Sequence, residues 1–512
     1  MNQDNGGIIG KINTPTTTVA SGVWTLQDQF EAQTSSIWPL AFPQTTIANS
    51  CRFESGNSDY LSKTFSSASD ENKIFTVSTW VKRSKLGAVD SHQGIISAYR
   101  SSDGLQTDVV RFPSNDTFQF YAHTTNSGTN AQLSTNRRFR DLSAWYHIVV
   151  RVDTTQSTAS NRVRIYINGT QETSFSTEPY TDQNGTVVWG LGSGVSHQIG
   201  AVGNSHHYSG YLAETIYVDN QSLDATSFGA FNPITNIWEP RGYAGTYGTN
   251  GFRLDFANSS ALGNDVSGND NDFTANNLTS VDQSTDTCSN NFATFNSLSK
   301  NDAGTVTFTE GNLKIAHSGS DSRYTGYSSI AVTQGKWYAE FKYVATSGGS
   351  DVMIGIGDLP EMENLNRQGN RLGQAGNTVG YYSDTGDKYV GPSDTSSSYG
   401  NSYAVNDIIG VAMDLDNGKL YFSKNGTFQN SGVPTSGSTG TGAISFTTGN
   451  PFIIGSSHVT TGSRTSTYSA NYGSPPYAIS SGNADANGHG NFEYSVPSGY
   501  FALCTKNLAE HG

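Results

Sequence analysis

The amino-acid sequence predicts an all-β protein: two tandem antiparallel jelly-roll sandwiches behind a short N-terminal segment. Three observations carry that expectation. The first is composition, with 56 glycines and only 14% charged residues among 512, a mixture suited to many short strands and turns rather than to helices. The second is length, because one hydrophobic core stops growing at roughly 250–300 residues. The third is an internal echo. Arg164-Ile-Tyr-Ile-Asn168-Gly169 returns in kind as Lys419-Leu-Tyr-Phe-Ser-Lys-Asn425-Gly426. Aromatic or β-branched residues alternate in each copy, and the Asn-Gly pair supplies the positive φ angles of a tight hairpin. A Trp-Tyr pair precedes each copy, Trp145-Tyr146 and Trp337-Tyr338, and both pairs read as core strands.

Residues 1–44 are extended and polar around a stretch from Trp24 to Gln33. A helix of two or three turns fits there, capped by Ser21 or Thr25, with Leu26 and Phe30 on one side. It is too short to fold alone. Its apolar residues Ile8, Ile9, Trp24, Phe30 and Trp38 either pack on the next domain or dock into a partner subunit. The first sandwich is expected over 45–240, with strands at Phe75–Val81, Thr117–His123, Trp145–Val152, Arg162–Ile167 and Tyr211–Val218 among others. A polar linker is expected over 241–300, and a second sandwich over 301–512, with strands including Lys336–Val344, Val352–Gly357, Thr378–Tyr382, Ile408–Asp414 and Lys419–Ser423.

A net charge of −14 argues against nucleic acid, whose phosphates need clustered Lys and Arg. The small basic clusters Lys82-Arg83-Ser84-Lys85 and Arg137-Arg138-Phe139-Arg140 read as solvated loops. Cys51, Cys288 and Cys504 are too few and too scattered for a disulfide framework or a zinc site and read as buried small hydrophobes. The N-terminal residues lack the pattern of a signal peptide, and no stretch reaches the ~20 apolar residues of a membrane span. Synthesis in a cytosol without membrane insertion is the expectation, with release inside a particle after lysis.

Phe53 to Leu61, Thr79 to Arg83, Trp145-Tyr146-His147, Val163 to Gly169 and Gly210 to Glu214 together resemble the laminin-G-like, concanavalin-type jelly rolls of structural proteins of marine tailed phages. Gly335 to Glu340, Ile354 to Gly357, Gly380 to Tyr382, Asp407 to Asp414, Tyr421 to Gly426 and Pro497 to Cys504 are similar to a SPRY domain. Gly6 to Lys11 and Gly22-Val23-Trp24 also resemble the leader of such virion proteins. The resemblance implies a virion fibre or spike that docks on other virion proteins through its N-terminal segment and binds a host surface glycan or protein. It further implies a homotrimer. A capsid or head-fibre decoration protein is the alternative, and a glycan-degrading spike a third.

For hydrolysis, two carboxylates must face each other across a sugar at about 5–9.5 Å. Glu214 and Asp219 are expected on opposite strand faces, and Glu340 stands alone, so no enzyme is expected. Asp265, Ser267, Asn269 and Asn271 place oxygens at alternate positions. They read either as a calcium loop lacking its terminal Glu or as an Asx-turn loop, and calcium is the one cofactor left open. Sugar binding needs aromatic faces and planar polar groups. His206, His207 and Tyr208 are candidates in the first module. Tyr381, Tyr382, Asp384, Asp387 and Tyr389 are candidates in the second, with alternation burying one tyrosine of the adjacent pair.

Overall fold

A computed structural model describes residues 24, 26–34, 45–66, 73–87, 91–100, 106–123, 130–190, 195–233, 235–299, 305–319, 323–347, 349, 352–459 and 464–512. The chain divides into a large unit, Ile47–Asp224 with Thr246–Gly512, and a small one, Met1–Thr46 with Ala225–Gly245. The described residues are overwhelmingly strand and turn, and the large unit holds two antiparallel sandwiches.

In the first sandwich one sheet runs in the order Thr170–Gln171, Val163–Ile167, Trp145–Asp153, Ile74–Arg83, Gly210–Asp219, Ser50–Phe53, Gln283–Ser284. The facing sheet runs Phe175–Thr177, Ala131–Arg138, Thr117–Ala122, Gln106–Pro113, His92–Arg100, Val195–Ile199, Tyr60–Thr64, Thr274–Asn276. Val77, Val81, Ile148, Val150, Ile165, Phe118, Phe120 and Leu133 close the space between them, because strand residues of one parity share a face. The second sandwich pairs a sheet built on Lys336–Ser347, Ile408–Asp414 and Lys419–Lys424 with one built on Phe452–His458, Val352–Asp358 and Thr378–Tyr382. Trp337, Phe341, Ile354, Tyr381, Val411 and Phe422 lie between them. The echoed hairpins are built alike. Asn168 and Asn425 sit at φ 48 and 48, followed by Gly169 and Gly426 at φ 78 and 79. Each Asn side chain accepts from the strand alongside, from His147 N at 2.7 Å and from Ile408 N at 2.9 Å.

Of the polar linker expected over 241–300, residues 246–299 are built into the sandwiches. Phe252–Leu254, Thr274–Asn276 and Gln283–Ser284 add strands to both sheets of the first sandwich. Phe252, Leu254, Phe256, Leu262 and Phe273 enter its core, and Phe292 and Phe295 then enter the clusters of the second sandwich. The polar residues between them turn inward to bond backbone, so polarity marks hydrogen-bonded turns there and not solvated chain.

The two sandwiches meet over buried charge. Lys82, expected in a solvated loop, is 1% exposed, and its Nζ donates to Asp286 Oδ2 at 2.6 Å and Asn291 Oδ1 at 2.7 Å. Arg83, equally buried but inside the first sandwich, pairs with Asp116 at 3.1 Å. Arg52 faces Asp282 and Glu310, each at 3.4 Å, and donates to Pro475 O at 3.3 Å. Tyr211 OH donates to Gly311 O at 3.0 Å. A Cβ at Gly311 would stand 2.1 Å from that hydroxyl, and φ is +66, so the close approach requires glycine. Trp145 is half-buried rather than a core residue, with Nε1 donating to Asp286 Oδ1 at 3.1 Å.

In the small unit, the predicted helix spans Leu26–Thr34 and leaves Phe30 60% exposed. Trp24 is half-buried, while Ile8, Ile9 and Trp38 lie outside the described residues. The hairpin Gly229–Phe231 with Trp238–Pro240 completes it, and Thr45 N donates to Pro240 O at 3.2 Å.

Buried groups give the fold a definite pH dependence. Burial pushes Asp59 up to about 7, Asp108 to about 8 and Glu340 to about 7, and raises Glu54. Burial likewise holds His92, His147 and His458 at about 3, and His197 and His317 at about 4. A raised carboxyl stabilises fully below its unfolded pKa and loses that contribution as pH climbs through its folded pKa; a depressed histidine stabilises fully above about 6.5 and loses its contribution on acidification. Between those limits the five imidazoles outnumber the three carboxyls held at about 7 to 8, and above them the carboxyls lead, with the buried thiols acting in the same sense. Thermal stability should therefore peak near pH ~6.5 and fall toward pH ~8.5, with Asp108→Asn flattening the alkaline limb. A melting temperature climbing steadily across that limb contradicts this account.

Candidate surface on the first sandwich

Alternation in the sheet containing Gln106–Pro113 and Thr117–Ala122 sends Val110, Phe112, Phe118, Phe120, Ala131 and Leu133 inward. Their neighbours Arg111, Gln119, Tyr121 and Gln132 therefore occupy the outer face. Tyr99 extends that face, its ring against Gly203. Arg111 is central to it. Its Nε donates to Gln119 Oε1 at 2.7 Å, and its Nη1 lies 3.2 Å from Nε2 and 3.4 Å from Nδ1 of His92. The Tyr121 ring lies 5.8 Å from the guanidinium, and Asn130 Nδ2 donates to the Tyr121 hydroxyl at 2.9 Å.

The segment from Ala201 to His207 closes over one side of this sheet. Gly94 N donates to His206 O at 2.8 Å, and Val202 and Ser205 exchange backbone bonds. His206 stacks on His92 with centroids 3.9 Å apart, and His207 rests on Tyr60 at 5.7 Å. Tyr208, the third candidate here, turns inward instead: it is fully buried and donates to Lys82 O at 2.8 Å. The surface thus combines half-buried rings, primary amides and a guanidinium, the groups that meet the C–H patches and hydroxyls of a sugar. Tyr60, Tyr99, Arg111, Gln119 and Tyr121 were missed from the sequence, although the alternation of Phe118-Gln-Phe-Tyr121 carried the signal.

In the second sandwich, Tyr381 and Tyr382 do part to opposite faces. Tyr381 is core, with its hydroxyl on Asn401 O. Tyr382 and Tyr389 pack edge to face at 6.0 Å on the outer side, in a cluster with Met353, Met362 and Leu372. Arg371 lies 4.2 Å over Tyr389, and its charge is met by Asp394 at 2.6 Å. Asp384 is exposed and Asp387 half-buried in the hairpin between strands Thr378–Tyr382 and Asp387–Val390.

The Asp265 loop is engaged internally. Asp265 accepts from the backbone of Arg253, Ser267 and Asn271 at 2.8, 2.9 and 2.9 Å and from Ser267 Oγ at 2.8 Å. Asn269 and Asn271 donate their amides to Gly251 O, each at 2.9 Å. That is the bonding of nested Asx turns. Glu214 makes a two-pronged pair with Arg253 at 2.9 Å. Glu340 is buried and accepts from the backbone of Glu493 and Tyr494 at 2.9 and 2.8 Å, and Asp414 from Lys336 at 2.9 Å.

Residues 55–218 match the family described as the concanavalin A-like lectin/glucanases superfamily, a laminin-G-like group. Residues 336–448 match the SPRY domain. The chain therefore carries a concanavalin-like and a SPRY domain in tandem, a pairing of ligand- or protein-binding modules. It is 28% identical over 127 residues to Ran-binding protein 10 of Danio rerio, covering 24% of this chain and 20% of that protein, so it spans about a fifth of that relative's length. Among solved structures it is similar to the SPRY domain of human HERC1, with 16% identity, 32% of this chain and 91% of that one covered and a TM-score of 0.26. The TRIM65 PSpry domain is similar at 13% identity, 35% and 88% coverage and a TM-score of 0.25.

Proposed function

We propose that this chain is a non-enzymatic adhesion protein that binds a cell-surface glycan on the outer face of its first sandwich. The carrying observation is the convergence there of Tyr99, Tyr121, His92 and His206 with Arg111 and Asn130, rings and planar hydrogen-bonding groups on one sheet. Rigid placement matters because sugars bind weakly to groups that must first be ordered. Against a hydrolytic role, Glu214 is committed to Arg253, and Glu340 is held in the second sandwich by two backbone N–H groups. The likeness of the sequence to tailed-phage virion proteins, in its first module and in the order of its two modules, supports a virion adhesin, with the N-terminal segment, including Trp24 and the exposed Phe30, docking it among other virion subunits.

Affinity electrophoresis of the full chain through gels holding neutral and acidic polysaccharides tests the binding. Tyr121→Ala should weaken retention about tenfold, the equivalent of ~1.4 kcal/mol of stacking, without changing the melting temperature by more than a few degrees. Retention unchanged in Tyr121→Ala and Tyr99→Ala would remove this face from the reading.

A further inference from the structure

Arg111 carries the inference further than its neighbours do. It is half-buried, and loss of solvent lowers its affinity for its proton. Among the described residues no carboxylate pairs with it, whereas Arg83, Arg151, Arg253 and Arg371 each have one within 3.1 Å. The described outer-face positions around it, Tyr99, Gln119, Tyr121, Gln132, Ser134, Ser196 and Gln198, include no acid, in a chain where acids outnumber bases by 43 to 29. Its polar neighbours do not neutralise it. Gln119 turns an oxygen to Nε, Tyr121 offers a ring face, and His92 is kept uncharged by burial and by Arg111 itself. His206 Nδ1, beside His92, is buried without a hydrogen-bond partner. A guanidinium stripped of part of its water and left without a counter-ion is unfavourable unless something anionic completes it.

We infer that Arg111, flanked by His92 and His206, is an anion subsite of the glycan surface, and that the sugar it takes is acidic, carrying a carboxylate or a sulfate ester. This rests on the glycan reading above. The planar guanidinium matches either group through two N–H donors, while Tyr121 and Tyr99 remain for the ring of the same or the next sugar. Specificity follows from the same geometry. A neutral sugar would leave Arg111 uncompensated, and a phosphate-rich polymer such as nucleic acid would meet the chain's overall negative charge.

Dextran, carboxymethyl-dextran and dextran sulfate share one backbone and serve as probes for the full chain at fixed ionic strength. Both acidic polymers should bind at least about tenfold more tightly than dextran, and Arg111→Gln should abolish that preference, as expected for loss of a charge-assisted bidentate contact. Arg138→Gln, which removes an exposed charge from the same sheet, should leave the preference intact. Three further outcomes are separable. Equal binding of all three polymers that still depends on Tyr121 overturns the acidic-sugar assignment and spares the glycan surface. Equal losses in Arg111→Gln and Arg138→Gln reduce the effect to net charge and also overturn it. Binding of inorganic sulfate with no retention of any polymer makes the ligand a free anion, which overturns both readings.

Discussion

Asp286→Ala should destabilise the large unit by about 3–5 kcal/mol, the usual cost of leaving one member of a buried ion pair alone. Lys82 and Asp286 are each 1% exposed and 2.6 Å apart. The same carboxylate accepts from Trp145 Nε1 at 3.1 Å and Phe292 N at 3.3 Å, so its removal strands an ammonium, an indole N–H and a backbone N–H together. Those donors come from strands of the first sandwich and from the segment leading into the second, which makes the junction itself the place of failure. Urea unfolding should show the loss, and trypsin, which should find a single resistant core in the native chain, should now separate two. Arg151→Ala is the control. Its partner Asp224 is 54% exposed, and such a pair contributes about 1 kcal/mol at most. Equal effects at the two sites would show that the junction charge is solvated.

The parts of the fold that could be read from the sequence are those with continuous apolar runs or with turn residues of fixed φ. Val352–Asp358, Thr378–Tyr382 and Ile408–Asp414 have runs of buried apolar residues bounded by turns, and the Asn-Gly hairpins announce themselves through φ. Tyr60–Thr64, Ala131–Arg138 and Thr395–Ser398 were missed because Ser, Thr, Lys and Arg dominate them. Their strand state comes from pairing with neighbours, which periodicity within one segment does not register. The helix Leu359–Gln368 was missed despite a full set of signals: Asp358 caps Glu361 N at 3.1 Å, Pro360 opens the first turn and Gly369 closes it at φ 65. The polar stretch 246–299 misled for a related reason, since its phenylalanines are spaced widely enough to look like linker and yet all five reach a core.

The candidate surface was legible only at its rim. His206 and His207 stand out as adjacent histidines, but their partners His92 and Tyr60 lie more than a hundred positions away in sequence, and only the sheet order brings them together. Charge misled in the opposite direction at Lys82 and Arg83. A basic cluster normally marks solvent, and burial became tolerable here because Asp286 and Asp116, distant in sequence, complete each pair. Arg111 lacks such a partner among the described residues, and that contrast, invisible in the sequence, gives the site its chemical character.

The two Trp-Tyr pairs look alike in sequence and should part sharply on mutation. Trp337→Ala is expected to cost about 3–5 kcal/mol, the range for emptying a large aromatic site in a core. Trp337 is fully buried among Phe341, Val411, Met413 and Leu503, and its Nε1 donates to Gln334 O at 2.7 Å. Its strand lies between Ile408–Asp414 and Arg464–Asn471 at the centre of its sheet, so neighbouring strands cannot close on the vacancy without breaking their ladders. Trp145 is half-buried, at the start of its strand, and packs at 6.2 Å from Tyr211. Trp145→Ala removes one hydrogen bond to Asp286, which keeps Lys82, so the expected cost is about 1–2 kcal/mol. Fluorescence-monitored urea unfolding of both variants decides the matter. Comparable losses would place Trp145 in a core after all, whereas a large loss confined to Trp337→Ala confirms that one Trp-Tyr pair serves the interior of its sandwich and the other serves the junction between the two.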